Sequence, residues 1–373
     1  MDKTNYNLKT RVIVEKIEKG RNMYPIELRH HSLTINRVIM NKSQTLIATC
    51  SNDNLVYVYN SISYECINKF ECKAAVKDIV FESKTDRVIA ATALGEIAIF
   101  DVYKFQTEQD NLLWANQDQR FFSMSLSYGD QYLGVIWNHM FKDPDAGDCI
   151  NKLIIYKLSD LTASMEKHKG DRNAHYSIGH YKKIAGDDSE PFTRVAFYLK
   201  DSQFFLSSDP GYIHKYDLEV NEFEPVAKQE VMRRGVNSLT FSPHYEFLIV
   251  SGNEGVKLLD PDTLEIFRTI YTKYPVLCAQ MSHLIYDEKP KYHLIFAGGI
   301  PAREQATRAE GGNEIHVYNI AREEKLFELG GTYGNVNWIS LFKDGSGFVT
   351  AGEEAIARIY RFDQSYFEDP IFQ

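Results

Sequence analysis

The sequence predicts an all-β chain folded as a seven-bladed β-propeller, and three observations carry that prediction. From Met23 to the end, short runs of β-branched and aromatic residues alternate with turn-forming residues. A large side chain near the end of every third run recurs at a nearly constant spacing. An apolar run at 23–28 has no repeat of its own and is free to close a ring. The last stretch, 330–373, holds one complete unit: three runs at 336–342, 347–351 and 355–360, the first two joined through Lys343-Asp344-Gly345-Ser346. A lone meander of this kind has an apolar face with nothing to cover it, so it must stack on further copies.

Those copies are present in order. The first unit reads INRVIM (35–40), TLIATC (45–50), LVYVYN (55–60) and ECINKF (65–70). The second reads VKDIVF (76–81), RVIAAT (87–92) and EIAIFD (96–101), with a looser segment ending near Trp114. In the third, FFSMSLS (121–127), YLGVIW (132–137) and KLIIYKL (152–158) are interrupted by a polar insertion at 138–148. A long polar segment, 165–190, precedes the fourth unit, FTRVAFY (192–198), FFLSS (204–208) and YIHKYDL (212–218). The fifth is the most regular: VNSLTFS (236–242), EFLIVS (246–251), VKLLD (256–260) and IFRTIYT (266–272). The sixth has VLCAQMS (276–282), YHLIFAG (292–298) and EIHVYNI (314–320), with an insertion at 299–312.

The recurring landmark is Tyr59, Phe100, Tyr156, Tyr216, Leu259, Tyr318 and Tyr360, at gaps of 41, 56, 60, 43, 59 and 42 residues. A four-stranded propeller blade takes about 40–45 residues, and the three longer gaps coincide with the polar insertions. Seven such units make a seven-bladed ring. The seventh lacks a fourth strand, so the run MYPIEL at 23–28 is expected to pair with 355–360 as the outer strand of the last blade. The chain therefore divides into an extension at 1–21 and one propeller at 22–373.

Composition narrows the function. The formal charge of −9 over 373 residues argues against a surface built for phosphate backbones, so direct nucleic-acid binding is not expected. Five scattered cysteines, none in a Cys-x-x-Cys pair, support neither a disulfide framework nor a zinc site. No signal-peptide core and no run of eighteen apolar residues occurs, which points to a cytoplasmic chain with no membrane contact.

Enzyme signatures are weak. Asp143-Pro144-Asp145-Ala146-Gly147-Asp148 opens like a calcium loop but has Asp148 where such a loop needs Gly, and reads as a solvated loop. His168, His175 and His180 lack metal-ligand spacing. Gly298-Gly299 and Gly311-Gly312 flank a polar loop instead of opening a helix after a strand, so they form no phosphate cradle. Neither a catalytic centre, nor a cofactor, nor a metal site is expected.

In period the repeats resemble the WD40 class, although no third run ends in Trp-Asp and no first run follows Gly-His. The nearest survivals are Phe100-Asp101, Tyr216-Asp217 and Gly331-Thr332-Tyr333, so the side-chain network that usually ties such blades together is expected to be largely absent. Several stretches resemble one family of that class, subunit i of eukaryotic translation initiation factor 3. They are the opening Met23-Tyr24-Pro25-Ile26-Glu27-Leu28, the fifth unit through 236–267, the glycine-aromatic-glycine of Gly331-Thr332-Tyr333-Gly334, and the ending Phe362-Asp363-Gln364-Ser365-Tyr366-Phe367.

The resemblance implies a non-catalytic scaffold that docks the C-terminal segment of subunit b on blades five and six, with subunit g nearby, during initiation on the small ribosomal subunit. It places an acidic docking residue on Asp260, with Leu258 either beside it or in the core. A second acidic position of the family falls on His244, a departure. For Asp260 two readings stand side by side, a partner contact or a turn residue. Two other functions remain open: a WD40 scaffold of a different complex, in signalling or vesicle coats, and a propeller enzyme with chemistry in its central channel.

Overall fold

The structure is a computed structural model that describes residues 23–105, 114–115, 119–139, 151–167, 181–186, 189–220, 224–282, 285–286, 289–305, 312–363 and 366–367. Seven four-stranded antiparallel sheets make up the fold, each a meander whose first strand is innermost. Blade 1 comprises Ile35–Met40, Leu46–Ser51, Leu55–Asn60 and Cys66–Glu71. Blade 2 comprises Val76–Phe81, Val88–Thr92, Glu96–Phe100 and the short Trp114–Ala115. Blade 3 has Gln119–Leu126, Tyr132–His139, Asn151–Lys157 and Lys182–Ala185, and blade 4 has Phe192–Phe197, Gln203–Ser208, Tyr212–Asp217 and Ala227–Glu230. Blade 5 has Val236–Phe241, Leu248–Gly252, Gly255–Leu259 and Ile266–Tyr271, and blade 6 has Val276–Met281, His293–Gly298, Ile315–Asn319 and Glu324–Leu329. Blade 7 contributes Val336–Leu341, Gly347–Gly352 and Ala357–Arg361.

The fourth strand of blade 7 comes from the other end of the chain, as expected. Ile26–Leu28 pairs antiparallel with Ala357–Arg361, in the register Ile26 with Ile359, Glu27 with Arg358 and Leu28 with Ala357. Each inner strand packs on that of the next blade, and the inner strand of blade 7 packs on that of blade 1, so the ring closes.

Seven apolar clusters fill the seven blade-to-blade interfaces, one in each. The landmark side chains contribute to them: Phe100 stacks on Phe70 of the preceding blade (4.7 Å between centroids), while Tyr216 and Tyr360 stack on Phe204 and Phe348 of their own blades. All are buried except Tyr318, which is half-buried. Aromatic pairs of this kind add roughly 0.5–1.5 kcal/mol each beyond the area they bury.

One regularity escapes any reading of the sequence by eye. All seven inner strands carry a bulge near their start, between the first and third residues in six of them, for example Ile35/Arg37, Val76/Asp78 and Val336/Trp338, and at Phe121/Ser123 in blade 3, whose strand begins two residues earlier. A bulge sharpens the local twist and bends the strand, as a strand at the axis of a propeller requires. The extra residue is Asn36, Asn237 or Asn337 in blades 1, 5 and 7. Each donates its side-chain amide to the backbone carbonyl that opens the next inner strand: Val76 O at 2.7 Å, Val276 O at 3.0 Å and Ile35 O at 2.9 Å.

The fourth strand of blade 3, Lys182–Ala185, lies inside the stretch 165–190 that reads as one polar insertion, and a helix, Leu158–Lys167, occupies its start. The extension at 1–21, the calcium-like loop at 143–148 and His168, His175 and His180 lie outside the described residues. In the blade 6 insertion, the short helix Ala302–Gln305 follows Gly299 and is tied to blade 7, because Glu353 Oε2 accepts from the Ala302 and Asn335 amides. Gln305 Oε1 accepts from the Gly334 amide (2.8 Å). Gly334 has a φ of 89°, and a Cβ there would lie 2.5 Å from Glu353 Oε2, which accounts for the glycine after the aromatic of this motif.

Candidate docking site on blades five and six

The expected loss of the blade-tying network is corrected in blade 1. His31, in the loop leading to its first strand, is buried, and its Nδ1–H donates to Asp53 Oδ2 (2.9 Å) because a carboxylate can only accept. Its Nε2 then accepts from the Thr49 hydroxyl (2.9 Å). Tyr59, bonded to the same hydroxyl, ends the chain of partners. Asp53 also accepts from the Ser32 amide (2.9 Å), so the loop before the blade is fastened to the turn between its second and third strands. Blades 5 and 7 reproduce that fastening with a longer acid, through Glu254 to the Arg233 amide and Glu353 to the Asn335 amide.

The three residues singled out in the fifth blade divide between its surface and its core. Asp260 opens the turn between the third and fourth strands and is exposed, and His244 is exposed in the turn between the first and second strands, so both stand on one face of the ring. Leu258 is fully buried in the cluster between blades 5 and 6, with Ile249, Val256 and Phe296. It therefore offers no surface to a partner and supports the turn from beneath, because its strand alternates and this position faces the neighbouring blade.

Asp260 makes turn contacts. Its Oδ1 accepts from the Asp262 amide (2.7 Å) and the Thr263 amide (3.0 Å). The Thr263 amide, with that of Asp262, holds its carboxyl below the usual carboxylate range. The adjacent Asp262 pairs with Lys215 of blade 4 (2.9 Å).

From this turn the outer strand Ile266–Tyr271 runs along the edge of the blade with Ile266, Phe267 and Tyr271 exposed, Tyr271 to 77%. Phe267 stacks on Phe247 (5.3 Å), and Arg268 forms an ion pair with Glu323 of blade 6. Beyond the strand lies a groove of about 370 Å³ between the two blades, lined by Tyr271, Tyr274, Phe296, His316, Tyr318 and Lys325 among others. The His316 ring lies over Phe296 (5.1 Å), with Nδ1 3.7 Å from Glu328 Oε2, and burial holds its pKa below the ordinary value. Aromatic walls with a few charged tips suit an amphipathic peptide. No short motif announces the groove, because its residues come from five strands and two loops.

A second concavity is the central channel. Its described lining holds two carboxylates, and both are bonded: Asp78 to Arg37 and to the Ile79 and Met124 amides, Asp130 to the Ser83 amide and hydroxyl.

Residues 24–60 match the WD40 family, the WD domain, G-beta repeat, a span that holds the outer strand of blade 7, the first three strands of blade 1 and the His31–Asp53 network. Along nearly its whole length the chain is 24% identical to eukaryotic translation initiation factor 3 subunit I of Saccharomyces cerevisiae, over 93% of this chain and 94% of the relative. The chain is a divergent relative of initiation factor 3 subunit I. The subunit I proteins of Caenorhabditis elegans (24% identity, 92% of this chain and 98% of the relative) and Scheffersomyces stipitis (24%, 93% and 95%) match it to the same extent. Likeness to subunit I over the full ring accords with a WD40-type propeller that keeps the full side-chain network in blade 1 and substitutes for it in blades 5 and 7.

Two buried histidines should make the stability of the propeller depend on pH. Burial lowers the pKa of His214 and of His293 to about 4, from an unfolded value near 6.5. The folded state therefore binds fewer protons than the unfolded state between these limits. Stability is fully present above about pH 6.5 and is lost as pH falls toward 4, by up to about 3 kcal/mol for each histidine. Urea midpoints measured at pH 7.5, 6.0 and 4.5 should fall in that order, and a His214→Gln, His293→Gln double variant should flatten the trend.

Proposed function

We propose that this chain is a non-catalytic scaffold subunit of the eukaryotic translation initiation factor 3 complex, acting in the cytoplasm as a single propeller over residues 22–373. It docks the C-terminal segment of subunit b along the outer strand of blade 5 and in the groove to blade 6, with subunit g beside it, and reaches the small ribosomal subunit through the complex. No cofactor takes part. The observation that carries the reading is the combination of full-length likeness to subunit I with an exposed apolar strand on blade 5 and an aromatic groove between blades 5 and 6.

In this reading Asp260 supplies negative charge at one end of the strand, Phe267 and Tyr271 supply apolar contact, and His316 and Lys325 supply polar contacts in the groove. His244 brings no acidic charge, so the partner's basic residue is left to Asp260.

The test separates charge from turn geometry. Asp260→Asn keeps an oxygen acceptor for the Asp262 and Thr263 amides and removes only the charge. Binding of a C-terminal peptide of subunit b, followed by calorimetry, should weaken about five- to tenfold, equivalent to roughly 1–1.4 kcal/mol, with the melting temperature unchanged. Equal affinity of the variant and the original chain would remove Asp260 from the contact. A strand variant, Tyr271→Ala, should weaken the same complex without touching Asp260.

A further inference from the structure

The chain as a whole is acidic, at −9, yet its central channel is basic. Among the described residues lining it stand Arg37, Lys42, Lys77, Arg194 and Lys343, against Asp78 and Asp130, which leaves a net of three positive charges in a space of about 720 Å³. Three of these cations have neutral partners. Lys77 Nζ donates to Asn52 Oδ1 (2.6 Å), Arg194 donates to the carbonyls of Asn237 (2.6 Å) and Thr193 (2.8 Å), and Lys343 Nζ donates to the Lys42 carbonyl (2.8 Å).

Arg37 lies over the Trp338 ring (4.0 Å to its centroid), which fixes the plane of its guanidinium, and shares Asp78 through Nη1 (2.5 Å). Its buried Nε has no hydrogen-bond partner among the described residues. The Asp78 carboxylate also attracts Arg194, so one acid serves two arginines while its own oxygens take two backbone amides as well. Burial disfavours the charged forms of Lys77, Arg194 and Lys343.

We propose that the central channel is a binding site for a small phosphorylated anion, held by Arg37, Lys77 and Arg194. Guanidinium forks match phosphate oxygens in pairs and Lys77 adds a point charge. A net of three positive charges is offset by a diphosphate or a larger polyanion and only in part by a single phosphate. The narrow, low-dielectric ring strengthens the attraction relative to an exposed basic patch, so the interaction persists at physiological salt. The anion then acts as an internal counter-charge that braces the inner strands of blades 1, 2 and 4.

Isothermal titration calorimetry of the full chain with inorganic pyrophosphate tests this. One-to-one binding with a dissociation constant below about 1 mM at 150 mM salt is expected, with orthophosphate at least tenfold weaker. Arg194→Gln and Lys77→Met should each weaken pyrophosphate at least tenfold. Circular dichroism checks their folds, and if Arg194→Gln does not fold, Lys77→Met decides, because among the described residues the Lys77 side chain hydrogen-bonds only to Asn52 on the turn of blade 1. Without added anion, Lys77→Met should melt no lower than the original chain. Absent or salt-abolished uptake, affinity unaltered by Lys77→Met, or single-stranded RNA competing more tightly than pyrophosphate would each overturn the proposal.

Discussion

Deleting residues 22–30 should lower the thermal midpoint by roughly 10 °C or more, because it opens the ring. The segment contributes the outer strand of blade 7, buries Leu28 in the interface between blades 7 and 1, and places Glu27 against Arg358 (3.2 Å). Loss of the Leu28 side chain alone costs about 2–5 kcal/mol. Arg358, only 8% exposed, loses one of its two carboxylates, and Ala357–Arg361 becomes an unpaired edge. A melting curve that does not move on deletion would show that the ring closes some other way.

Tyr366→Ala should cost about 3–5 kcal/mol, the largest effect expected of any single substitution in the tail. Its ring is stacked on Phe362 (3.9 Å) and meets Phe327 (6.2 Å) and Phe367 (5.4 Å) edge-on. Its hydroxyl meets His293 Nδ1 at 2.6 Å, and Asn319 lies against Nε2 (3.4 Å). The Asn319 amide can only donate there, so Nδ1–H donates to the tyrosine, a pairing that holds the ring in its neutral form. Tyr366→Phe keeps the packing and strands the histidine donor, for about 1–3 kcal/mol. Equilibrium urea unfolding of the two variants resolves the contributions; a Tyr366→Ala variant within 1 kcal/mol of the original chain would mean that the tail does not lock blades 6 and 7 together.

Tyr366 also shows what kind of signal the family-like ending is. Its residues resemble those of subunit i because they are core: Phe362 and Tyr366 fill the interface between the sixth and seventh blades.

The ring itself was legible because its determinants are local. Alternation, turn residues and one bulky side chain per third strand recur within a few dozen residues, and the unpaired run at 23–28 had a single vacant edge to fill. The fourth strands of blades 3 and 4 were not legible. Lys182–Ala185 and Ala227–Glu230 have four residues each, and the second is exposed along most of its length, so neither carries the apolar alternation that marks a strand. The His31 network escaped because its members, His31, Thr49, Asp53 and Tyr59, are scattered through the blade, and because Tyr59 stands where the usual Trp would be sought.

The candidate site was legible in part. The Asp-x-x-Thr-Leu pattern marks Asp260 as a turn residue, and the structure draws its hydrogen bonds. Both faces of a third strand are covered by neighbouring blades, so Leu258 turns toward blade 6 and Leu259 toward blade 4, and neither is left for a partner. The groove was invisible because Tyr271, Phe296, His316 and Lys325 meet only when two blades pack.

Affinity purification of the intact chain from native extract, with the bound proteins identified by mass spectrometry, tests the scaffold role most directly. Co-enrichment of initiation factor 3 subunits, b and g among them, is the predicted result, with subunit b reduced when Asp260→Asn and Tyr271→Ala are combined. Recovery of a different complex with no initiation factor 3 subunit would contradict it.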